Sequence, residues 1–313
     1  MEAYARWRRL DTRVPDEVVA RVKARKAAGA ALRASYAHDP RLAVVVTSFN
    51  QVWNVHTLAD RLLANPHVDE IVVCEDGSLD GSLEAWVSRL IVPNGFVIRS
   101  NDLHEIRSLD RAFRLSRAEV LCVIQDDDVV PEDPSWAAEA LALFDAHPRL
   151  GVLGGFQARL EAPTAEEAGA APGDPLPDSS TRAAGPFRFV PTVCIGPYYV
   201  RSRCYDECGG FDTAYSEPGQ AGVGFDEEFA LRAWLRGWQV GYLHQPFKTG
   251  VEGGYDLGAG GTFLYGEPTE RTEHARANGR RVVQTYAPHH DAIMEAVRAG
   301  NARLAAESTI TEA

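Results

Sequence analysis

The chain has 313 residues, 45% of them hydrophobic and 24% charged, and a formal net charge of −12. That length supports one large domain or two small ones with a sizeable core. The acidic balance disfavours nucleic acid or an anionic membrane held by a general field, so an anionic ligand needs a local device such as a metal, an arginine or a helix N-terminus.

The opening "MEAYARWRRLDTRVPDE" is charged throughout and does not read as a signal peptide. No apolar run approaches the ~20 residues of a membrane span. "PDEVVARVKARKAAGAALRASYA" is rich in alanine and basic residues, with Asp16 and Glu17 in its first turn, which predicts a helix. Residues 1–40 therefore read as a helical extension that packs on the body or contacts a second copy, so a homo-oligomer is one expectation.

The texture then changes. "LAVVVTSFN" and "VDEIVVCEDGS" are short apolar runs ending in polar residues, and "VWNVHTLADRLLANP" between them has helical spacing. "SLEAWVSRLI" predicts a helix, "GFVIRSN" a strand, "LHEIRSLDRAFRLS" a helix and "EVLCVIQDDD" a fourth strand. Continuous valine and isoleucine runs alternating with helices predict an α/β fold with a doubly wound, mixed but mostly parallel sheet and flanking helices. Ligands of such sheets bind beyond the carboxyl ends of the strands. Thr47, Ser48 and Asn50, then Glu75, Asp76 and Ser78, then Ser100 and Asn101, then Asp126, Asp127 and Asp128 all fall at that predicted rim.

Farther on, "WAAEALALFDAHPRL" predicts a helix and "GVLGGFQARL" a strand. The Ala-, Pro- and Gly-rich residues 161–186 have little to bury and read as a mobile loop, either a surface insertion or a lid. Asp226 to Leu235 predicts a helix stopped by Gly237. "WQVGYL" predicts a strand ending near His244, "TGVEGGYDLGAGGTF" a loop, and "HHDAIMEAVRAGNARLAAE" a terminal helix. The five cysteines are odd in number and form no CxxC pair, which fits reduced thiols in the cytoplasm. Cys204 and Cys208 are four apart and can share a helix face; the spacing also permits a zinc site with Cys194 and a histidine.

Three acids in a row at a strand end repel one another, and burying them costs free energy unless something neutralises them. A hard divalent ion does so, with phosphate oxygens and water completing its shell. A solvated turn, with Asp128 or Asp133 capping the next helix, is the plainer alternative. No Walker-type loop, dinucleotide-binding glycine motif or G-x-S-x-G elbow is present.

In order and approximate spacing, "VVVTSFNQ", "EIVVCEDGSLDGS", "VLCVIQDDDVVP", "GGFD" and "GFDEEFALRAWLRGW" resemble the motifs of family 2 glycosyltransferases of the GT-A fold. The resemblance covers residues 41–245 and suggests a transferase domain over 41–265, with a nucleotide-sugar half (41–135), an acceptor half (136–265) and a C-terminal helical extension (266–313). It implies a nucleotide-sugar donor, here a UDP-sugar, an acceptor hydroxyl or amine, and Mn²⁺ or Mg²⁺. It places Thr47, Phe49, Glu75, Asp76, Asn101, Asp126 and Asp127 at the donor, with Glu75 where the family has Asp. Asp128, Asp126 and His244 become metal ligands. The register of "QDDD" stays open: Asp126 and Asp128 form the pair, or Gln125 replaces the first acid and Asp127 binds the metal. Asp226 falls at the position of the catalytic base, and Phe225 stands where the family has Glu; Glu227 and Glu228 are neighbours able to substitute. Direct displacement would invert the anomeric centre. A retaining transferase, a sugar nucleotidyltransferase and an inactive nucleotide-sugar-binding module are the competing readings.

Overall fold

The computed structural model describes residues 16–35, 40–92, 94–101, 103–170, 179–216, 222–248 and 268–311. Helix α1 (Asp16–Ser35) precedes strand β1 (Leu42–Ser48), α2 (Val52–Ala64), β2 (Glu70–Glu75), α3 (Ser82–Arg89), β3 (Gly95–Arg99), α4 (Glu105–Leu115) and β4 (Val120–Gln125). There follow α5 (Ser135–Ala146), β5 (Leu150–Gly154), β6 (Ala158–Arg159), α6 (Ala165–Gly169), β7 (Ser180–Thr181), β8 (Arg188–Phe189), β9 (Thr192–Val193) and β10 (Tyr198–Arg201). The chain continues through α7 (Ser202–Cys208), α8 (Phe225–Leu235), β11 (Gln239–Tyr242), α9 (Pro268–Tyr286) and α10 (His290–Thr311).

Eight strands form one sheet in the order β3-β2-β1-β4-β10-β5-β11-β8, and a small second sheet runs β7-β6-β9. β1 is parallel to β2 and β4, and β2 to β3. β10 runs antiparallel between β4 and β5, while β11 is parallel to β5. The expected mixed, mostly parallel sheet with flanking helices is the one observed. Its centre is apolar because its strands are: Leu42 to Val46 of β1 and Val120 to Ile124 of β4 are at most 1% exposed. Each valine or leucine side chain so buried stabilises the fold by about 1.5–3 kcal/mol. The indole of Trp86 packs under the rim and donates to Ser48 Oγ at 2.9 Å.

The segment expected as one strand over 151–160 divides into β5 and β6. Its glycines explain the division. A Cβ on Gly154 would lie 2.4 Å from Val193 Cβ, and one on Gly155 would lie 2.7 Å from Pro197. Only a chain without side chains passes there as it leaves the large sheet for the small one. Gly154→Ala is expected to destabilise the fold by about 1–3 kcal/mol through overpacking, read as a lower urea midpoint with unchanged slope.

Residues 161–186 are not wholly irregular. They hold α6, closed by a capping box between Thr164 and Glu167, and β7; residues 171–178 of the expected loop lie outside the described residues, as does the glycine-rich segment 249–263. The terminal helix is found, and α9 ahead of it lies within the stretch 266–313 expected as a helical extension, where no separate helix was delimited. Gly237, with φ +77°, follows α8 as the predicted stop. All five cysteines are free; Cys204 and Cys208 share a face of α7 with their sulfurs 4.0 Å apart. Among the described residues no helix is long and apolar enough to cross a membrane.

Candidate active site

Pairing aligns the carboxyl ends of three strands. Ser48 of β1 sits opposite Glu75 of β2, and Thr47 opposite Gln125 of β4. The predicted rim is therefore real, and the acidic run opens directly from it as a closed turn. Asp128 N donates to Gln125 O at 3.1 Å, and Gln125 N donates to Asp128 Oδ2 at 2.8 Å. Asn54, buried in the first turn of α2, donates its amide to the carbonyls of both Asp126 and Asp128, each at 2.9 Å. Phe49 N donates to Asp126 Oδ2 at 2.5 Å. Asn54 does not stand out in the sequence, because an isolated polar residue in a helix carries no pattern.

Burial pushes the Asp126 and Asp128 carboxyls well above the usual carboxylate range, and the negative charge of Asp127 raises both further. Among the described residues no lysine or arginine pairs with either one. Two acids, oxygen donors only, held together without a cation, form a donor set that fits a hard divalent ion. They do not form a cage: among the described residues no three His, Cys, Asp or Glu side chains gather as a metal cluster, neither Asp126, Asp128 and His244 nor the cysteine set. Mg²⁺-type sites commonly use one or two carboxylates and leave the remaining positions to substrate and water.

The other predicted donor residues fall into two groups. Glu75 is fully buried; its Oε1 accepts from Ser78 N at 2.5 Å and Gly77 N at 3.2 Å, while its Oε2 has no hydrogen-bond partner and lies 3.8 Å from Arg99 Nε. Both oxygens of Asp76 accept backbone N–H groups, from Leu103 and His104 at 2.8 Å, at the start of α4. These two acids shape the turns of the rim. Thr47, Phe49 and Asp127 are half-buried on it, and Asn101 is exposed beside Gly77.

Asp226 lies in the first turn of α8, whose N-cap is Gly224, so it is not itself the cap. Its Oδ1 accepts from Glu227 N at 3.0 Å and its Oδ2 from Ile195 N at 3.1 Å. Burial raises its pKa. Glu227 is half-buried beside it and is pushed up to about 7, first by burial and then by the charge of Asp226. Glu228 points elsewhere: Arg232 grips both of its oxygens at 2.7 and 2.8 Å, and Tyr286 Oη donates to it at 2.6 Å. Of the two neighbouring acids, Glu228 is held in this clamp, while Glu227 lies next to Asp226 and feels its charge. Phe225 is core, packed against Phe211.

The two halves meet at one dipeptide. Ile195 N touches the Asp226 carboxylate, and the next residue, Gly196, has φ +89° and lies so close to Asp128 that a Cβ would come within 3.1 Å of both its oxygens. His244 belongs to the same region. Leu243 N and Gln245 N donate to Gly154 O and Gly155 O, and Val129 exchanges backbone hydrogen bonds with Lys248. His244 itself is half-buried, its Nδ1 3.4 Å from Tyr242 Oη. Tyr198, Tyr199, Trp234 and Trp238 are core residues, whereas Phe49 and Trp53 are half-buried.

Residues 43–186 match the sequence model of the family described as Glycosyl transferase family 2. This segment is similar to family 2 glycosyltransferase domains. The curated proteins give no match by sequence. Among solved structures, TarS residues 1–349 of S. aureus in complex with UDP-GlcNAc is similar at 17% identity and a TM-score of 0.50, over 81% of this chain and 70% of that one. A mannosyltransferase of Pyrobaculum calidifontis in complex with GDP-Man and Mn²⁺ aligns over 95% of this chain and 90% of its own, at 14% identity and a TM-score of 0.48. The chain spans only 37% of a longer TarS chain that it matches over 66% of its own length. The domain has the GT-A fold. Its matched segment contains the rim and the acidic run; Asp226 and His244 lie beyond it.

Proposed function

We propose that the chain is an inverting glycosyltransferase that moves a sugar from a nucleoside-diphosphate donor, a UDP-sugar, to an acceptor hydroxyl or amine. The observation that carries this reading is the placement of Asp226 and Asp128 on the two sides of Ile195–Gly196. One carboxylate stands where a nucleophile is deprotonated, and the other where a diphosphate is seated. The UDP-GlcNAc bound to TarS supports the choice of base.

In this reading Phe49, Asp126, Asp127 and Asn101 contact the nucleoside, with Thr47 behind them and Glu75 and Asp76 fixing the turns. Asp128 and Asp126 would hold Mn²⁺ or Mg²⁺, with His244 nearby, and the ion would act as a Lewis acid toward the departing diphosphate. Asp226 accepts the acceptor's proton as its oxygen or nitrogen attacks the anomeric carbon. The bond from that carbon to the diphosphate breaks with its electron pair on the leaving group, and attack from the opposite face inverts the centre. Ile195 N holds the base in place throughout. Burial raises its basicity toward the working pH.

The base works only when ionised, so kcat/KM is expected to rise with pH and level off above the titration of the Asp226–Glu227 pair. The limb belongs to the two acids as a pair, and burial raises both of them, which moves it above the usual carboxylate range. Glu227→Gln removes a negative charge beside Asp226, lowers its proton affinity and should move the limb to lower pH. A pH profile of donor consumption checks both statements. The reading as a whole is tested by a thermal-shift screen of UDP, GDP and dTDP with and without Mn²⁺. A ligand that binds only the folded chain raises its melting temperature by mass action. A response to one nucleotide that needs the metal is expected, and no metal-dependent response to any of them would sink the donor assignment.

A further inference from the structure

We propose that one face of α9 is a binding site for a phosphate-class anion. An open surface pocket of about 460 Å³ there is lined, among the described residues, by Glu273, Arg276, Ala277, Arg280, Arg281 and Gln284. Among the described residues three arginines and one glutamate line it, and with Arg281 paired to Asp212 the charge facing it comes from Arg276 and Arg280, in a chain whose net charge is −12. The overall field repels anions, so this cluster is a local exception of the kind an anionic ligand requires. Arg276 and Arg280 are one helical turn apart, a like-charge spacing that weakens a helix. Among the described residues neither meets a carboxylate to offset it.

The cluster is also anchored. Arg281 donates to Ala214 O at 2.9 Å and to Asp212 Oδ2 at 3.2 Å, and lies 4.5 Å over the Tyr215 ring. Asn278, on the adjoining face, donates to Tyr215 O at 2.8 Å and Val223 O at 3.0 Å, and Tyr286 reaches Glu228 at the far end. The helix that carries the arginines is therefore fixed to the body before a ligand arrives, which lowers the ordering cost of binding. Guanidinium forks match phosphate oxygens two at a time, and the Gln284 amide adds a neutral donor. This site does not depend on the transfer reading, since none of its residues touches the rim.

The test uses the full chain and the double variant Arg276→Gln/Arg280→Gln, titrated with inorganic phosphate against chloride at constant ionic strength. Both substitutions lie on the helix surface, and an unchanged melting curve without phosphate verifies folding. Wild type is expected to bind phosphate, and the double variant to bind it about tenfold more weakly or worse, as the loss of charge-assisted hydrogen bonds requires. Any phosphate held at the acidic rim is common to both proteins and cancels in the comparison. Vesicles of phosphatidylglycerol and of phosphatidylcholine separate the sources. Co-sedimentation with the former alone, lost in the double variant, assigns the site to a lipid headgroup; phosphate binding without co-sedimentation assigns it to a soluble phosphate. Equal phosphate affinity in the two proteins, or none in wild type beyond chloride, would overturn the site and leave only a solvated arginine face.

Discussion

Asp226→Asn is expected to lower kcat for glycosyl transfer by about 10²–10⁴-fold, the usual worth of a positioned general base, while nucleotide binding stays intact. The asparagine keeps the volume and one acceptor oxygen. It cannot take a proton from the acceptor. One of the two N–H groups now served by the carboxylate, Ile195 N or Glu227 N, would then face an amide NH₂ instead. That mismatch costs about 1–3 kcal/mol of stability, so the nucleotide-induced thermal shift must be measured on the same preparation. A retained shift with lost turnover identifies the base. Glu228→Gln is the contrasting variant: it breaks the clamp to Arg232 and Tyr286 and should lower stability far more than it changes the pH profile.

Asp128→Asn is expected to abolish the metal-dependent part of the nucleotide response. A ligand at 100 times its Kd stabilises a fold by about 2.7 kcal/mol, and most of that gain should disappear. The three aspartates differ in ways the sequence leaves open. Asp128 is 5% exposed and lies against Gly196, Asp126 is tied to Phe49 N, and Asp127 is half-buried between them. We therefore assign the pair to Asp126 and Asp128. Asp127→Asn should keep a metal response, and Asp126→Asn should weaken both metal and nucleotide binding because it also releases Phe49. If Asp127→Asn alone removes the response, the other register is the correct one.

The strand ends were legible because they obey a local rule: an apolar run too continuous for a surface strand, then polar residues. β1, β2 and β4 follow it, and pairing in register turns three separate stretches into one rim. What the sequence could not reveal was contact between distant segments. Ile195 and Asp226 are 31 positions apart, and a backbone N–H leaves no trace in side-chain pattern. The role of Glu228 was hidden for the same reason, since its partner Tyr286 lies 58 residues later. Helix α9 falls within the expected helical extension 266–313, but its bounds were not legible because its periodic signal is weak: it carries Gly279 mid-helix and many charges, with Val282, Val283 and Tyr286 as its buried side chains near the C-terminal end. Tertiary hydrogen bonds from Asn278 and Arg281 supply part of what propensity lacks. The acidic run was conspicuous from the start, yet its meaning depended on Gly196, which brings the chain carrying the Asp226 contact directly against it.

In the proposed function the acidic turn and Asp226 serve one reaction. This is tested most directly by measuring nucleoside diphosphate release from UDP-sugars with Mn²⁺ and with a chelator, in wild type and in Asp226→Asn and Asp128→Asn. Release is expected to need the metal and to be lost in both variants, with Asp226→Asn still binding nucleotide. Release that proceeds unchanged in either variant, or equally well with the chelator, would contradict it.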